Sequence, residues 1–199
     1  NKPSYIPCVV DTDIYKIFDL KRECFILTVA WSGGINGQRK CLKEVIEAFH
    51  LIRESYPDIR LVIAGKQGDF HKVMLDTALT LGVNDAIDFI GVISEEKKIE
   101  LMQRCLLYLQ PTLFEGFGLA IAEAMACGAV VVTSPVGAIP EVVGVYGIMV
   151  NGESPRSIAD GIYKVIENPI LRSELSKGAR EHIVNNFGYK RRKSELENL

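Results

Sequence analysis

Two glutamates in the middle of the chain have a spacing that suits an extended ligand. Glu115 and Glu123 flank the segment GFGLAIA, and the pattern predicts a loop at Glu115 and a helix at Glu123. Eight helical positions advance about 12 Å, so the two carboxylates cannot share one proton or one metal ion. Each can instead accept hydrogen bonds from paired hydroxyls on a different part of one ligand.

The residues between the glutamates favour a phosphate group in the middle of that ligand. Gly116 and the second glycine let the backbone approach a ligand closely. The amides that we expect to be free at the helix start, where they can bind phosphate oxygens, belong to Phe117, Gly118 and Leu119. A diphosphate there would place a sugar near Glu115 and a ribose near Glu123. Two alternatives are open. The segment is a generic phosphate site, or it binds no ligand: Glu115 is then a loop carboxylate, Glu123 is a solvated helix residue, and the glycines only form turns.

Short apolar runs alternate with segments of helical period along the 199 residues, which predicts one α/β domain with a doubly wound, Rossmann-like parallel sheet. The strands are apolar on both faces, as a sheet covered by helices on both sides requires. Predicted strands span residues 25–30, 59–64, 87–90, 106–109, 129–132 and 147–150. Predicted helices span residues 41–54, 69–81, 117–127, a segment capped by Ser94, and a segment from 154 to about 185 that is interrupted at Pro169.

Sheets of this kind bind ligands at the carboxyl ends of their strands, which adds three further loops to the candidate site. The first contains the turn Gly33-Gly34 and the cations Arg39 and Lys40, for which a solvated loop is the alternative. The second contains Gly65 and Lys66. The third contains Val92 and Ile93, which we expect either to pack against a nucleotide base or to be ordinary loop packing.

The composition narrows the class of protein. Lysine and arginine number 23 against 25 acidic residues, so the net charge of −2 gives no reason to expect nucleic acid as a partner. Five cysteines without a C-x-x-C pair are typical of a reducing compartment. No apolar stretch approaches the roughly 20 residues of a membrane span. We therefore expect a cytoplasmic domain, with peripheral contact at the inner face of the membrane as an open alternative, and the start without Met suggests an excised domain.

Other polar patterns carry less weight. Asp11-Thr12-Asp13 has the D-x-D form of some metal–nucleotide sites, but we interpret it as a turn in which aspartate bonds its own backbone. The three histidines lie far apart, so we expect no metal site. The basic run of residues 190–193 predicts a solvated terminal helix, with phospholipid or partner contact as the alternative.

Several blocks besides the two glutamates give the chain a family resemblance. Together with residues 115–128 they closely resemble, in order and over about the whole chain, the C-terminal donor-binding domain of the retaining glycosyltransferases of family 4, which have the GT-B fold. These blocks are residues 6–11, 46–49, 60–65, 88–92 and 134–143.

The resemblance implies roles for individual residues. Glu115 would hold the donor hexose with backbone help from residues 116–119, Glu123 would hold the nucleotide ribose, and Lys40 would contact the donor diphosphate. Lysine against diphosphate also stabilises the charge that develops on the leaving group, so Glu115 and Lys40 are the candidate catalytic residues. Two positions depart from the family: Cys41 replaces the usual glycine and Ile35 replaces an arginine, whose role Arg39 can take.

The resemblance implies transfer of a hexose from a nucleoside diphosphate sugar with retention of configuration, and no cofactor. The acceptor-binding N-terminal domain lies outside this chain, in cis or in trans, so we expect the chain alone to be inactive. The alternatives are a nucleotide-sugar-binding subunit that needs a separate partner chain and a related GT-B sugar epimerase.

Overall fold

The computed structural model describes residues 8–18 and 21–197, with side chains described as far as residue 193. The residues 6–7 that open one block of the resemblance lie outside this part. The strands are β1 (Phe25–Val29), β2 (Arg60–Ala64), β3 (Ile87–Gly91), β4 (Leu107–Gln110), β5 (Val131–Thr133) and β6 (Gly147–Met149). The helices are α1 (Ile35–Arg39), α2 (Leu42–Ser55), α3 (Phe70–Thr80), α4 (Glu95–Arg104), α5 (Leu119–Ala126), α6 (Ile139–Val143), α7 (Pro155–Glu167), α8 (Pro169–Phe187) and α9 (Tyr189–Glu197).

The six strands form one parallel sheet in the order β3-β2-β1-β4-β5-β6. The chain runs outward from β1 to β3 and then returns to the centre, where β4 pairs with β1 through Ile26↔Leu107 and Leu27↔Tyr108. The loops after β1 and β4 therefore leave the sheet in opposite directions. In doubly wound sheets such a reversal of strand order marks a crevice at the carboxyl edge, which is the place where these sheets bind their ligands.

The alternation of apolar residues along each strand gives the sheet two separate cores. Ile26 and Leu109 lie in the cluster with α2, α3 and α7, whereas Leu27 and Tyr108 lie in the cluster with α5, α6 and much of α8. This burial on both faces explains why the strands lack the polar alternation of a sheet with one solvated face. The predicted doubly wound, Rossmann-like α/β fold is confirmed.

Two short helices were not among the predicted elements. Residues 35–39 form α1, and Ile139–Val143 form α6 with Pro140 in its first turn. Each has five residues, which is too short for a 3.6-residue repeat of apolar positions to become visible.

The helix that carries Glu123 begins later than the sequence indicates. Gly118 is its N-cap and has φ +85, a left-handed conformation outside the helical region. Phe117 and Gly118 therefore precede α5 rather than begin it. The amides of the first turn are those of Leu119, Ala120 and Ile121, because the first residues of a helix lack carbonyl partners for their N–H groups.

Candidate functional site

The end of α1 is fastened to the loop that follows β4. The carbonyl oxygen of Arg39 accepts hydrogen bonds from the amide of Leu113 at 2.8 Å and from Oγ1 of Thr112 at 2.9 Å. The guanidinium of Arg39 donates to the carbonyl oxygen of Phe114 at 2.7 Å. These bonds join the two loops that border the crevice and set Arg39 and Lys40 beside Glu115.

Lys40 and Glu115 form an ion pair at this junction. The ammonium of Lys40 donates to Oε2 of Glu115, and Nη1 of Arg39 lies 3.5 Å from the same oxygen. The side chains of Lys40 and Glu115 are only 12% and 18% exposed. Burial lowers the pKa of Lys40. Burial also opposes ionisation of Glu115, but the hydrogen bond from Lys40 and the charges of both cations outweigh it and lower the pKa of Glu115, which keeps the carboxylate ionised at neutral pH.

The backbone at Glu115 is also fixed by the loop after β5. Gly137 has φ +56, and a Cβ atom there would lie 1.9 Å from the carbonyl oxygen of Glu115. Only glycine permits both this conformation and this approach. The loops after β1, β4 and β5 therefore converge on Glu115, the first through its carboxylate and the last through its backbone carbonyl.

Glu123 is buried, not solvated as the structural alternative expected. It is 7% exposed on α5, and its Oε2 accepts a hydrogen bond from Nζ of Lys98 on α4 at 3.0 Å. Nζ of Lys98 also lies 3.1 Å from Oε2 of Glu95 and 5.1 Å from the ring centre of Tyr15, whose hydroxyl donates to Glu95. Burial raises the pKa of Glu123, although the hydrogen bond and charge of Lys98 oppose it.

The predicted glycines and lysine in the loops after β1 and β2 take part in the packing of these two loops. The amide of Gly34, which has φ +53, donates to Oδ1 of Asp69, and Gly33 packs against the indole of Trp31. A Cβ atom at Gly65 would lie 2.0 Å from the carbonyl oxygen of Ala30. Nζ of Lys66 is exposed and lies 5.8 Å from the ring centre of Trp31. Ligand contacts for Gly33, Gly34, Gly65 and Lys66 stay predictions.

The remaining predicted residues lie at the same edge in different environments. Val92 is 76% exposed between β3 and α4, whereas Ile93 is half-buried against the second core. The ring of Phe117 is partly buried and packs edge-on against Phe187, with 5.5 Å between the ring centres. Leu119 is exposed. A base-binding role for Val92 and Ile93 stays a prediction.

The structure also shows the surroundings of the other polar patterns. Oδ1 of Asp11 accepts from the amides of Asp13 and Ile14 at 3.1 and 3.2 Å, which confirms the predicted turn. Within residues 8–18 and 21–197, no group of three or more histidine, cysteine, aspartate or glutamate side chains could hold a metal ion. The same part of the chain has no helix that could span a bilayer.

A cavity of about 480 Å³ lies at the carboxyl ends of β4, β5 and β6, beside the crevice. Its lining includes Thr112, Ser134, Asn151 and Glu153 together with apolar side chains from the same loops. Several of its polar groups bind the protein itself, since Oγ of Ser134 accepts from the amide of Thr112 at 3.1 Å. Glu115 and Glu123 do not line it, which makes it a separate place to test for ligand.

The sequence that forms this sheet edge matches a known protein family. Residues 33–182, more than half of the chain, match the family described as glycosyl transferases group 1. The chain belongs to this family. Its fold is that of the C-terminal domain of GT-B glycosyltransferases.

Individual members of the family share about a third of the aligned residues with this chain. An uncharacterised glycosyltransferase of Methanocaldococcus jannaschii is 34% identical over 170 residues, which cover 84% of this chain and 39% of the relative. The D-inositol 3-phosphate glycosyltransferase of Mycolicibacterium smegmatis is 33% identical over 132 residues, which cover 63% of this chain and 30% of the relative. The chain thus spans about two fifths or less of these curated relatives.

Solved structures have the same fold as this chain. The C-terminal domain of a glycosyl transferase group 1 protein from Francisella tularensis has a TM-score of 0.79 at 23% identity and covers 90% of this chain and 99% of that chain. An Anabaena protein in complex with UDP and glucose has a TM-score of 0.83 at 20% identity and covers 96% of this chain and 54% of that chain. At these identities the likeness concerns the fold.

Sequence reasoning missed two partners in the site. Lys98 and Asp69 bind Glu123 and Gly34 across 25 and 35 positions of the chain. Lys98 follows three charged residues at the start of an exposed helix, so its sequence neighbours predict a solvated side chain. Only the packing of α4 against α5 places it on Glu123.

Proposed function

We propose that this chain is the donor-binding domain of a retaining, family 4 glycosyltransferase and binds a nucleoside diphosphate sugar across the crevice between β1 and β4. The observation that supports this most strongly is the meeting of Lys40, Arg39 and Glu115 beside the start of α5, with Glu123 further along the same helix. The Anabaena protein of the same fold, solved with UDP and glucose, supports the class of ligand.

The diphosphate lies, in this proposal, between the cations and the helix start. Lys40 and Arg39 supply positive charge, and the first-turn amides of α5 supply donors that point out of the helix. The side chain of Lys40 is mostly buried, and electrostatic interactions are stronger there than in open solvent. Gly33, Gly34, Gly65 and Lys66 border the same anion from the β1 and β2 loops.

The two carboxylates recognise hydroxyls on either side of the diphosphate. Glu115 accepts from the hexose, with the backbone of residues 116–119 alongside, and Glu123 accepts from the ribose. Val92 and Ile93 lie beyond Glu123 and contact the base. Carboxylates suit this task because they accept several hydrogen bonds at once.

In the proposed reaction the bond between the anomeric carbon and the β-phosphate oxygen breaks, and its electrons stay on the diphosphate. The acceptor hydroxyl bonds to the anomeric carbon on the face that the diphosphate leaves, and its proton passes to the leaving phosphate. Lys40 and the helix amides stabilise the charge that grows on that phosphate. The donor is a substrate, and the proposal assigns no step to a cofactor.

We place the acceptor on a separate N-terminal domain, in cis or in trans, because the chain spans about two fifths or less of the relatives named above. On this proposal, residues 1–199 bind the donor but do not turn it over alone. Five free cysteines, three of them buried, favour a reducing compartment, and we propose the cytoplasm.

Calorimetry on the chain tests this function. Nucleoside diphosphates (UDP, GDP and ADP) and UDP-glucose, GDP-mannose and ADP-glucose are titrated into the wild type and three variants. Glu123→Ala should weaken the binding of the diphosphate and of the sugar nucleotide alike. Glu115→Ala should weaken the binding of the sugar nucleotide but not that of the free diphosphate. Glu153→Ala, in the neighbouring cavity, is the control and should change neither. Equal effects of Glu115→Ala and Glu123→Ala on both ligands, or a loss only in Glu153→Ala, would refute the assignment.

A further inference from the structure

We propose that Lys98 is a positioning residue for nucleotide recognition, which holds Glu123 as a carboxylate and aims its free oxygen at the ribose. This proposal rests on the proposed function, since it gives Glu123 the role of ribose acceptor. Lys98 lies on α4, outside the segment from Glu115 to Glu123, and in this proposal it does not itself contact the donor.

The geometry supports an ammonium enclosed by acidic and aromatic groups. Nζ of Lys98 lies 3.0 Å from Oε2 of Glu123, 3.1 Å from Oε2 of Glu95 and 5.1 Å from the ring centre of Tyr15. The side chains of Lys98 and Glu123 are 17% and 10% exposed. Oε1 of Glu123 makes no hydrogen bond within the described residues. Lys98 therefore binds one oxygen and leaves the other for a ligand.

Two carboxylates share this single ammonium. Glu95 and Glu123 both lie about 3 Å from it, so without the cation they would repel each other in a buried setting. The other titratable groups facing Glu123 are Tyr108 on β4 and Cys127 on α5, and burial raises the pKa of both, so neither carries charge at neutral pH. Within the described part of the chain, Lys98 is thus the cation whose hydrogen bond and charge favour the ionised form of Glu123.

Loss of Lys98 should convert Glu123 to its neutral form over part of the physiological pH range. Burial already raises the pKa of Glu123 with Lys98 present, and Glu95 raises it further. A neutral carboxyl loses the charge-assisted hydrogen bond to a hydroxyl, which is about twice as strong as a neutral one. Nucleotide binding would then weaken at neutral pH and recover as the pH rises.

The first test needs no nucleotide. Carbon-13 labelling of glutamate side chains allows the Glu123 carboxyl to be titrated by NMR in the wild type, Lys98→Met, Lys98→Arg and Lys97→Met. Lys97 is the matched control, because it neighbours Lys98 but pairs with Glu100 on the exposed face at 2.9 Å. We expect the pKa of Glu123 to rise in Lys98→Met only. An unchanged pKa in Lys98→Met would overturn the proposal.

The second test reads binding against pH. UDP, GDP, ADP and inorganic pyrophosphate are titrated by calorimetry between pH 6 and pH 9. In Lys98→Met the nucleotides that bind the wild type should weaken about tenfold at pH 7 and approach wild-type affinity at pH 9, while pyrophosphate stays unchanged. Lys98→Arg should behave as the wild type.

These tests distinguish failure of the Lys98 proposal from failure of the proposed function. A loss in Lys98→Met that is the same at every pH, or that extends to pyrophosphate, would mean a structural role and would overturn the proposal. Absence of nucleotide binding by the wild type, together with a raised Glu123 pKa in Lys98→Met, would refute the proposed function and the ribose-aiming role with it, and would leave only the link between Lys98 and the ionisation of Glu123.

Discussion

Lys40 donates a hydrogen bond to Oε2 of Glu115, so the cation proposed for the diphosphate and the carboxylate proposed for the sugar neutralise each other. Both side chains are mostly buried, and they come from the loops on either side of the crevice. On the proposed function, a donor must exchange this ion pair for two new contacts, phosphate on Lys40 and hydroxyls on Glu115. Separation of the two side chains is therefore an unfavourable term in the binding free energy of a diphosphate.

Glu115→Gln should tighten the binding of free nucleoside diphosphate. The amide cannot form an ion pair, so Lys40 becomes available without a competing carboxylate, and the gain should be about fivefold for a pair worth about 1 kcal/mol. Calorimetry with UDP, GDP and ADP measures it, with Glu153→Gln as the control. A diphosphate that binds more weakly to Glu115→Gln than to the wild type would contradict the competition.

Glu115 should contribute to stability in a defined range of pH. Its pKa in the folded protein lies below its ordinary value because Lys40 and Arg39 outweigh the effect of burial. The folded state therefore favours the ionised form, and this contribution is complete above the unfolded pKa of about 4.3 and is lost as the pH falls through the lower folded pKa.

Urea unfolding of the wild type and Glu115→Gln between pH 3 and pH 7 measures this contribution. The difference in the free energy of unfolding between them should be largest above about pH 5 and should shrink in acid. A difference that stays constant, or that grows as the pH falls, would show that Glu115 is not stabilised as a carboxylate.

Cys41 occupies a backbone conformation that suits glycine. It has φ +49 and ψ 37 at the N-cap of α2, is the one non-glycine residue with positive φ in the described part of the chain, and is 1% exposed. Cys41→Gly and Cys41→Ala both remove the buried sulfur, but only glycine also removes the strain of the left-handed conformation. The glycine variant should be more stable than the alanine variant by about 1 kcal/mol in urea unfolding. Greater stability of the alanine variant would exclude such strain.

Gly137→Ala should displace Glu115. A Cβ atom at residue 137 would overlap the carbonyl oxygen of Glu115 and would face a φ of +56, so the loop must move and both stability and sugar-nucleotide affinity should fall. Gly116→Ala is the comparison, because a Cβ atom there meets nothing within 4 Å. Its stability should match the wild type, while its affinity falls if ligand approaches that backbone. Thermal unfolding and calorimetry separate the two, and an unaffected Gly137→Ala would show that this contact does not position Glu115.

The fold was predictable because its information is local. Runs such as Phe25–Val29 are apolar on both faces and alternate along the chain with segments of helical period, so strand positions and parallel pairing follow from the pattern. The short helices α1 and α6 were not predictable, since five residues show no period. The start of α5 was placed two residues early because the left-handed conformation of Gly118 leaves no mark beyond the glycine itself.

The sequence predicted individual residues of the site but not the partners that they contact. Glu115, Glu123 and Lys40 stand out by type and spacing, but their partners are distant in sequence. Lys40 pairs with Glu115 across 75 positions, and Lys98 pairs with Glu123 across 25. Such pairs depend on how loops and helices pack, which no spacing rule in the sequence expresses.

A crystal structure of the chain with the sugar nucleotide that binds most tightly in the calorimetric series tests the central claim most directly. The account predicts the diphosphate between Nζ of Lys40 and the first-turn amides of α5, the hexose on Glu115 and the ribose on Glu123. A ligand in the cavity beside Glu153, or a diphosphate in the crevice with Glu115 and Glu123 both out of reach of it and its sugars, would contradict it.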